Sequence, residues 1–281
     1  LTLTVGSLFA GIGGLELGLE RAGMTVKWQV EIDEYCRQVL AKHWPDVPRW
    51  DDVCTFPPED WTAEQLEVDL ICGGFPCQDI STAGKGAGLE GERSGLFYEI
   101  IRIAGILRPR YLLLENVSAL LARGLGAVLG ELAQIGYDAQ WHCIPAASVG
   151  APHRRDRVFI LADTKGKRLP QREGSDTSGP GTHSGAGSNG SGLPAGVLPH
   201  TNGRGILFEG LGWQQESLSA WRETCWRNQW AVEPQVGRVA DGIPRRVDRL
   251  RGLGNAVVPQ VAEFIGRAIM EGADSEDISN H

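Results

Sequence analysis

The sequence predicts an α/β protein: a Rossmann-like, mostly parallel sheet with helices on both faces, plus a small irregular region toward the C-terminal half. Three observations predict it. Strand-like and helix-like stretches alternate through the first 162 residues, the signature of a sheet wrapped by crossover helices. A glycine cluster, Gly11, Gly13 and Gly14, separates the first strand from the first helix. From residue 163 the alternation gives way to a Gly/Ser-rich stretch.

Taken in order, "LTLTVGSLFA" reads as a strand, "GIGG" as a turn and "LELGLERAG" as a helix ending at Gly23. "TVKWQVEID" is a second strand, and "EYCRQVLAKHW" a helix stopped by Pro45. "VDLICGGFP" is a third strand, "LFYEIIRIAGILRP" a helix and "YLLLENV" another strand. "LGAVLGELAQIGY" reads as a helix and "RVFILAD" as a strand. "RLRGLGNAVVPQVAEFIGRAI" gives a loop followed by an amphipathic terminal helix. Between them, "REGSDTSGPGTHSGAGSNGSGLPAG" cannot bury enough side chain to offset its ordering entropy and is expected to be a long mobile loop. In the Trp-rich stretch after it, Leu218, Trp221 and Cys225 share one helical face, as in a helix docked on a core.

Composition narrows the class. The chain has 281 residues, enough for one large domain or one domain with a smaller insert. No apolar run approaches the ~20 residues of a membrane span, and no basic region precedes the first strand. Six cysteines occur without any C-x-x-C pair or zinc-like Cys/His spacing, so reduced thiols in a cytoplasm and no metal are expected. The net charge is −8, but it is unevenly spread. Residues 1–100 carry 17 Asp+Glu against 7 Lys+Arg, whereas residues 150–260 carry 15 Lys+Arg against 10 Asp+Glu. One face could therefore meet phosphates while another stays acidic.

Several residues could carry chemistry. The glycines at 11, 13 and 14 would let a ligand approach the backbone at a helix N-terminus. Glu16 stands where the third glycine of a dinucleotide fingerprint would fall, which disfavours a pyrophosphate. Glu31, at the end of the second strand, could take both hydroxyls of a ribose, and Asp52 could accept from an adenine amino group. Plain tight turns are the competing reading. Cys77, after Pro76, lies at the carboxyl end of a strand, where open α/β sheets place their ligands. Burial is as good a reading of that thiol as reactivity, while Cys72, Cys36, Cys143 and Cys225 read as inert core thiols. Glu115 ends an apolar strand, where a carboxylate must be paired or protonated, or else caps the next helix. Arg154, Arg155 and Arg157 precede a strand, and the alternation of Arg155 and Arg157 puts both on one side.

In this order the segments resemble the cytosine-5 DNA methyltransferases. "FAGIGG" is similar to the family's cofactor motif, "EID" to its ribose-binding acid, "GFPCQDIS" to its nucleophile motif and "ENV" to its proton-handling Glu. Arg155 and Arg157 match the paired-arginine motif, with His153 where many members carry Gln. "GNAVVP" matches the closing motif, with Ala256 where some members carry a hydroxyl. The resemblance covers roughly residues 3–162 and 236–270.

The resemblance implies a monomeric, S-adenosylmethionine-dependent DNA cytosine-5 methyltransferase, releasing S-adenosylhomocysteine and belonging to a restriction-modification system, a phage or a solitary modifier. Residues 1–162 and 236–281 would form the cofactor-binding and catalytic domain, and 163–235 a small target-recognition region. The cofactor would be held by Phe9, Ala10, Gly11, Ile12, Gly13 and Gly14, by Glu31 and Ile32, by Asp52 and Val53, by Pro76, and by Asn255, Ala256 and Val257. Cys77 would add to carbon 6 of a cytosine flipped out of duplex DNA, Glu115 would hold and protonate ring N3, Arg157 would contact O2 and Arg155 would steady the site or a phosphate. Residues 79–95 resemble the family's loop that closes over the base, with Ser81, Lys85 and Arg93 meeting the DNA backbone. Lys165, Lys167, Arg168, Arg172 and Arg204 are candidates for reading DNA, and Arg245, Arg246, Arg249 and Arg251 for phosphate contacts. The terminal helix after Pro259 should pack near the first strand, so that "GNAVV" reaches the cofactor. The rivals are the same chemistry on tRNA, a non-catalytic nucleic-acid-binding relative and, disfavoured by the missing glycine, a nicotinamide dehydrogenase.

Overall fold

The computed structural model describes residues 2–76, 95–164 and 245–279. Among the described residues seven strands form one sheet: β1 (Thr4–Leu8), β2 (Thr25–Val30), β3 (Arg49–Trp50), β4 (Leu70–Gly74), β5 (Tyr111–Val117), β6 (Asp138–Pro145) and β7 (Asp156–Asp163). Their spatial order is β3-β2-β1-β4-β5-β7-β6. The pairs from β3 through β5 are parallel, and β7 runs antiparallel to both β5 and β6. This is the mostly parallel Rossmann-like sheet that the sequence predicts. The chain runs outward from β1 through β2 to β3, then returns to place β4 on the other side of β1. A crevice must open at that reversal, beyond the carboxyl ends of β1 and β4.

The helices are α1 (Gly14–Arg21), α2 (Glu34–His43), α3 (Ala63–Leu66), α4 (Gly95–Leu107), α5 (Leu120–Arg123), α6 (Leu125–Gln134), α7 (Arg246–Asn255) and α8 (Pro259–Ser279). Local chemistry explains several boundaries. Asp33 caps α2 by accepting a hydrogen bond from the Cys36 N–H, and Pro45 follows two residues after its end. Pro259 starts α8 at a position where its missing N–H costs nothing.

The sheet is covered on both faces, which is why its central strands are buried at most positions and largely apolar. In β5, Tyr111 and Leu113 enter the core shared with Leu15, Leu19, Val261, Ile265 and Ile269 of α1 and α8. Leu112 and Leu114 enter the opposite core, with Ile100 and Ile103 of α4 and Val128 and Leu132 of α6. The terminal helix thus packs as expected from the resemblance, next to the first strand and directly on α1. Its approach is close: a Cβ on Gly18 would stand 2.3 Å from the Pro259 carbonyl oxygen and 2.5 Å from Ala262 Cβ.

The structure corrects the sequence reading at four points and decides a fifth. Strands β3 and β6 were not anticipated; β6 is an edge strand of partly exposed polar residues, without the apolar run that marks its neighbours. "RLRGLGN", expected as a loop, is helical in α7, because Gly252 lies in a close helix contact with Ile12 and Tyr35. Cys143 is exposed on β6 and is no core thiol, whereas Cys36 and Cys72 are buried. Arg155 precedes β7 with a left-handed φ of 41°, which breaks the alternation that was to align it with Arg157. Of the two readings of Glu115, the paired one holds and the helix cap does not: it pairs with Arg157. The Gly/Ser-rich stretch, the Trp-rich face of Leu218, Trp221 and Cys225, and the recognition candidates Lys165, Lys167, Arg168, Arg172 and Arg204 lie outside the described residues.

Gly18→Ala should cost about 1–3 kcal/mol through overpacking against backbone that cannot retreat, measured by urea unfolding. Gly105→Ala, in α4 with nothing near its Cβ position, should instead stabilise by about 0.5–1 kcal/mol.

Candidate active site

At the crevice beyond β1 and β4 lies a cavity of about 670 Å³. Its first wall is the turn after β1, with Phe9, Ala10, Gly11 and Gly14. Phe9 and the glycines 11 and 13 take left-handed φ values of 54°, 57° and 88°, folding the turn back under the start of α1. For Phe9 this is a strained conformation held by its surroundings. No side chain caps α1, which leaves its first N–H groups without a side-chain partner, and Gly14 and Leu15 line the cavity. Gly14 is also the point where the chain's two ends meet, since a Cβ there would lie 2.5 Å from the Val257 carbonyl oxygen.

A second wall follows β2 and β3. Glu31, one residue beyond β2, accepts from the Gly11 N–H at 2.7 Å with one carboxylate oxygen and from the Asp33 N–H at 2.8 Å with the other. Burial raises its carboxyl above the ordinary range, and these two N–H groups pull it back. Ile32 stands beside it, 74% exposed, with Asp52 and Val53 nearby. One Asp52 oxygen accepts from the Cys54 N–H and caps the short turn Val53–Thr55. Asn255, Ala256 and Val257 close the cavity from the C-terminal side.

The far end is formed by Pro76, Glu115 and Arg157. Antiparallel pairing of β5 with β7 sets Val117 opposite Arg157 and Glu115 opposite Phe159, which brings Arg157 Nε to 2.8 Å from Glu115 Oε1. Burial drives the Glu115 carboxyl from its ordinary 4.5 up to about 7, against the opposing pull of Arg157 and Arg155. Desolvation outweighs the ion pair, so the group can hold or release a proton near neutrality. Arg155 takes another direction and donates to the carbonyl oxygens of Gly254 and Ala256, the latter at 2.7 Å.

Most of the sequence-predicted residues thus share one cavity. Ile12 and Gly13 do not line it: Ile12 faces Gly252, and Gly13 lies against the Trp44 ring. Cys77, Ser81, Lys85 and Arg93 lie outside the described residues. Asp33, Arg251 and Asn116 escaped sequence reasoning as members of the site. Asn116 donates to the Phe75 carbonyl at 3.1 Å and so fixes the backbone just before Pro76; its place beside Glu115 was the available signal.

These features define a Rossmann-like α/β protein of the methyltransferase type. The model of the C-5 cytosine-specific DNA methylase family matches residues 3–185, and the chain belongs to that family. Among curated relatives it is 33% identical to the Type II methyltransferase M2.BsuMI of Bacillus subtilis over 77% of this chain and 55% of the relative. It is 37% identical to the Type II methyltransferase M.NgoBI of Neisseria gonorrhoeae over 55% of this chain and 48% of the relative. It is 33% identical to the Type II methyltransferase M.AquIA of a Picosynechococcus strain over 57% of this chain and 72% of that relative. The chain spans about half the length of the first two. No helix among the described residues is long and apolar enough to cross a membrane.

A second buried acid lies behind the glycine turn. Glu16 is fully buried, and burial pushes its carboxyl to about 7 while the Ser7 hydroxyl pulls it back. The folded state therefore holds this proton more tightly than the unfolded chain. Its stabilising effect is complete below the unfolded value near 4.5 and is lost as pH rises to about 7. Relative to Glu16→Gln, the wild type should lose on the order of 3 kcal/mol between pH 4 and pH 8, read from urea unfolding at both pH values.

Proposed function

We propose that this protein is a DNA (cytosine-5-)-methyltransferase that uses S-adenosylmethionine and acts through Cys77 on a cytosine flipped out of duplex DNA. The observation that carries the reading is a buried carboxyl poised near neutrality, Glu115, paired with Arg157 at one end of a nucleoside-sized cavity. A plain ion pair on a solvated face would not hold that proton.

The donor set suits S-adenosylmethionine. Both Glu31 oxygens keep lone pairs beyond their backbone bonds and can accept from vicinal ribose hydroxyls. Ile32 offers an exposed apolar face to a planar base. Asp52 keeps an oxygen for an amino group, and the uncapped start of α1 suits a carboxylate. Phe9, Ala10, Val53 and Pro76 supply apolar walls, while Asn255, Ala256 and Val257 shut the side nearest the glycine turn. When bound, this group supplies an electrophilic methyl to carbon 5.

The chain's own residues do the rest. The Cys77 thiolate adds to carbon 6, since carbon 5 of cytosine is a poor nucleophile until that addition has occurred. Glu115 holds and protonates ring N3 as charge develops there. Arg157 orients Glu115 and faces O2. Arg155 steadies the site by holding the closing motif. A water molecule takes the carbon-5 proton, the carbon 5–carbon 6 double bond re-forms with expulsion of the Cys77 thiolate, and N3 returns its proton to Glu115. Extrusion of the base from the duplex costs a few kcal/mol, offset by contacts from the 79–95 segment, where Ser81, Lys85 and Arg93 meet the backbone. In this reading the protein acts as a monomer in the cytoplasm, and residues 163–235 choose the target.

The test is transfer of labelled methyl from S-adenosylmethionine to duplex DNA of mixed sequence, with tRNA alongside. Methyl on tRNA and none on DNA would overturn the substrate assignment, and none on either would overturn the reaction. With 5-fluorocytosine DNA the wild type should form a covalent adduct that Cys77→Ser abolishes. Glu115→Gln should lower kcat by about 10²–10⁴-fold in the same transfer assay.

A further inference from the structure

Helix α7 lines the cavity with Arg251, Gly252 and Asn255 and is bonded to other elements at both of its own ends. Near its start, Arg245 donates to the Gln38 amide oxygen of α2. One and a half turns later, Arg251 pairs with Asp33, the cap of the same helix. Directly after the second contact, Gly252 lies on Ile12 and beside Tyr35; a Cβ there would stand 3.1 Å from Ile12 Cγ2. At its other end the Gly254 and Ala256 carbonyls are held by Arg155, two residues before the Arg157 that pairs with Glu115.

Asp33 is central to this arrangement. Its backbone N–H donates to Glu31 Oε1 at 2.8 Å, and one of its carboxylate oxygens accepts from Cys36 N–H. The other carboxylate oxygen takes Arg251. An exposed Arg–Asp pair contributes little to stability by itself, and Arg251 is 59% exposed. Its consequence lies in what Asp33 holds. Arg37 of α2 holds the Glu31 and Ile32 carbonyls directly, and a guanidinium anchored on Asp33 adds a hold on the residue whose N–H sets the direction of the Glu31 carboxylate.

We infer that α7 is a strut lining the cavity and that Arg251 is a positioning residue for the nucleoside end of the cofactor, acting through Asp33 on Glu31. The inference rests on the reading of the cavity as an S-adenosylmethionine site. It gives Arg251, expected from the sequence to contact phosphate, a role inside the protein. Gly252 is the one buried residue of this helix, and side-chain bonds join both of its ends to other elements.

S-adenosylhomocysteine binding by titration calorimetry, together with steady-state kinetics, tests this on the full chain. Arg251→Ala should raise the dissociation constant for S-adenosylhomocysteine and the KM for S-adenosylmethionine by about five- to tenfold, with a much smaller change in kcat and in the KM for DNA. Arg251→Lys should recover part of the affinity. Asp33→Asn keeps an acceptor for the α2 cap but removes the charge. Combined with Arg251→Ala it should weaken binding no further than either change alone. Unchanged affinity in Arg251→Ala, or additive effects in the double variant, would overturn the inference while leaving the proposed function standing. A wild-type protein that binds no S-adenosylhomocysteine would overturn both.

Discussion

The close approach of α1 and α8 is the constraint on which the rest of the molecule depends. Gly18 and Gly14 let the backbone around Pro259 and Val257 reach α1 at distances no side chain would permit. That contact seals one core face, where Leu15 and Leu19 meet Val261, Ile265 and Ile269. It also brings residues 255–257 to the mouth of the crevice, so that the cavity has a fourth side. A longer side chain at either glycine would damage packing and site together, because one interface serves both.

The acid–base end depends on a different device, the reversal of β7. In a wholly parallel sheet, residues at the carboxyl end of β5 would face residues near the end of the neighbouring strand. Antiparallel pairing instead brings the first residues of β7 to the carboxyl end of β5, so Arg157 arrives beside Glu115. Burial then favours the neutral carboxyl and the guanidinium favours the charged one, and the balance falls near neutral pH. Neither effect alone would leave the group able to exchange a proton there.

Much of this architecture is legible in the sequence where the physical signal is local. The apolar runs of β1, β4 and β5 are unmistakable because both faces of each strand are buried, and the glycine turn stands out because its backbone needs left-handed φ values. Edge strand β6 was not legible, since Gln140, His142 and Cys143 show no apolar pattern. Nor was α7, whose glycines and arginines read as loop and whose order comes from partners on distant elements. For the site, Glu31, Glu115 and Arg157 stood out as carboxylates and guanidinium at strand ends. Their convergence on one cavity depends on sheet order and register, which no local window contains. Asp33 was hidden for the same reason: it looks like an ordinary helix cap until Arg251, far along the chain, is seen on its second oxygen.

The sharing of one cavity by residues 9–14 and residues 255–257 has a consequence for how the protein is made. Synthesis proceeds from the N-terminus, so the glycine turn, Glu31 and the Glu115 strand all leave the ribosome well before the segment that closes over them. Until then the α1 face that awaits α8 is uncovered, and Leu15 and Leu19 are without half of their native neighbours. A nascent chain therefore carries the polar groups of the site without its enclosure. Enclosure of the cavity and completion of the core under α1 therefore depend on the same late segment.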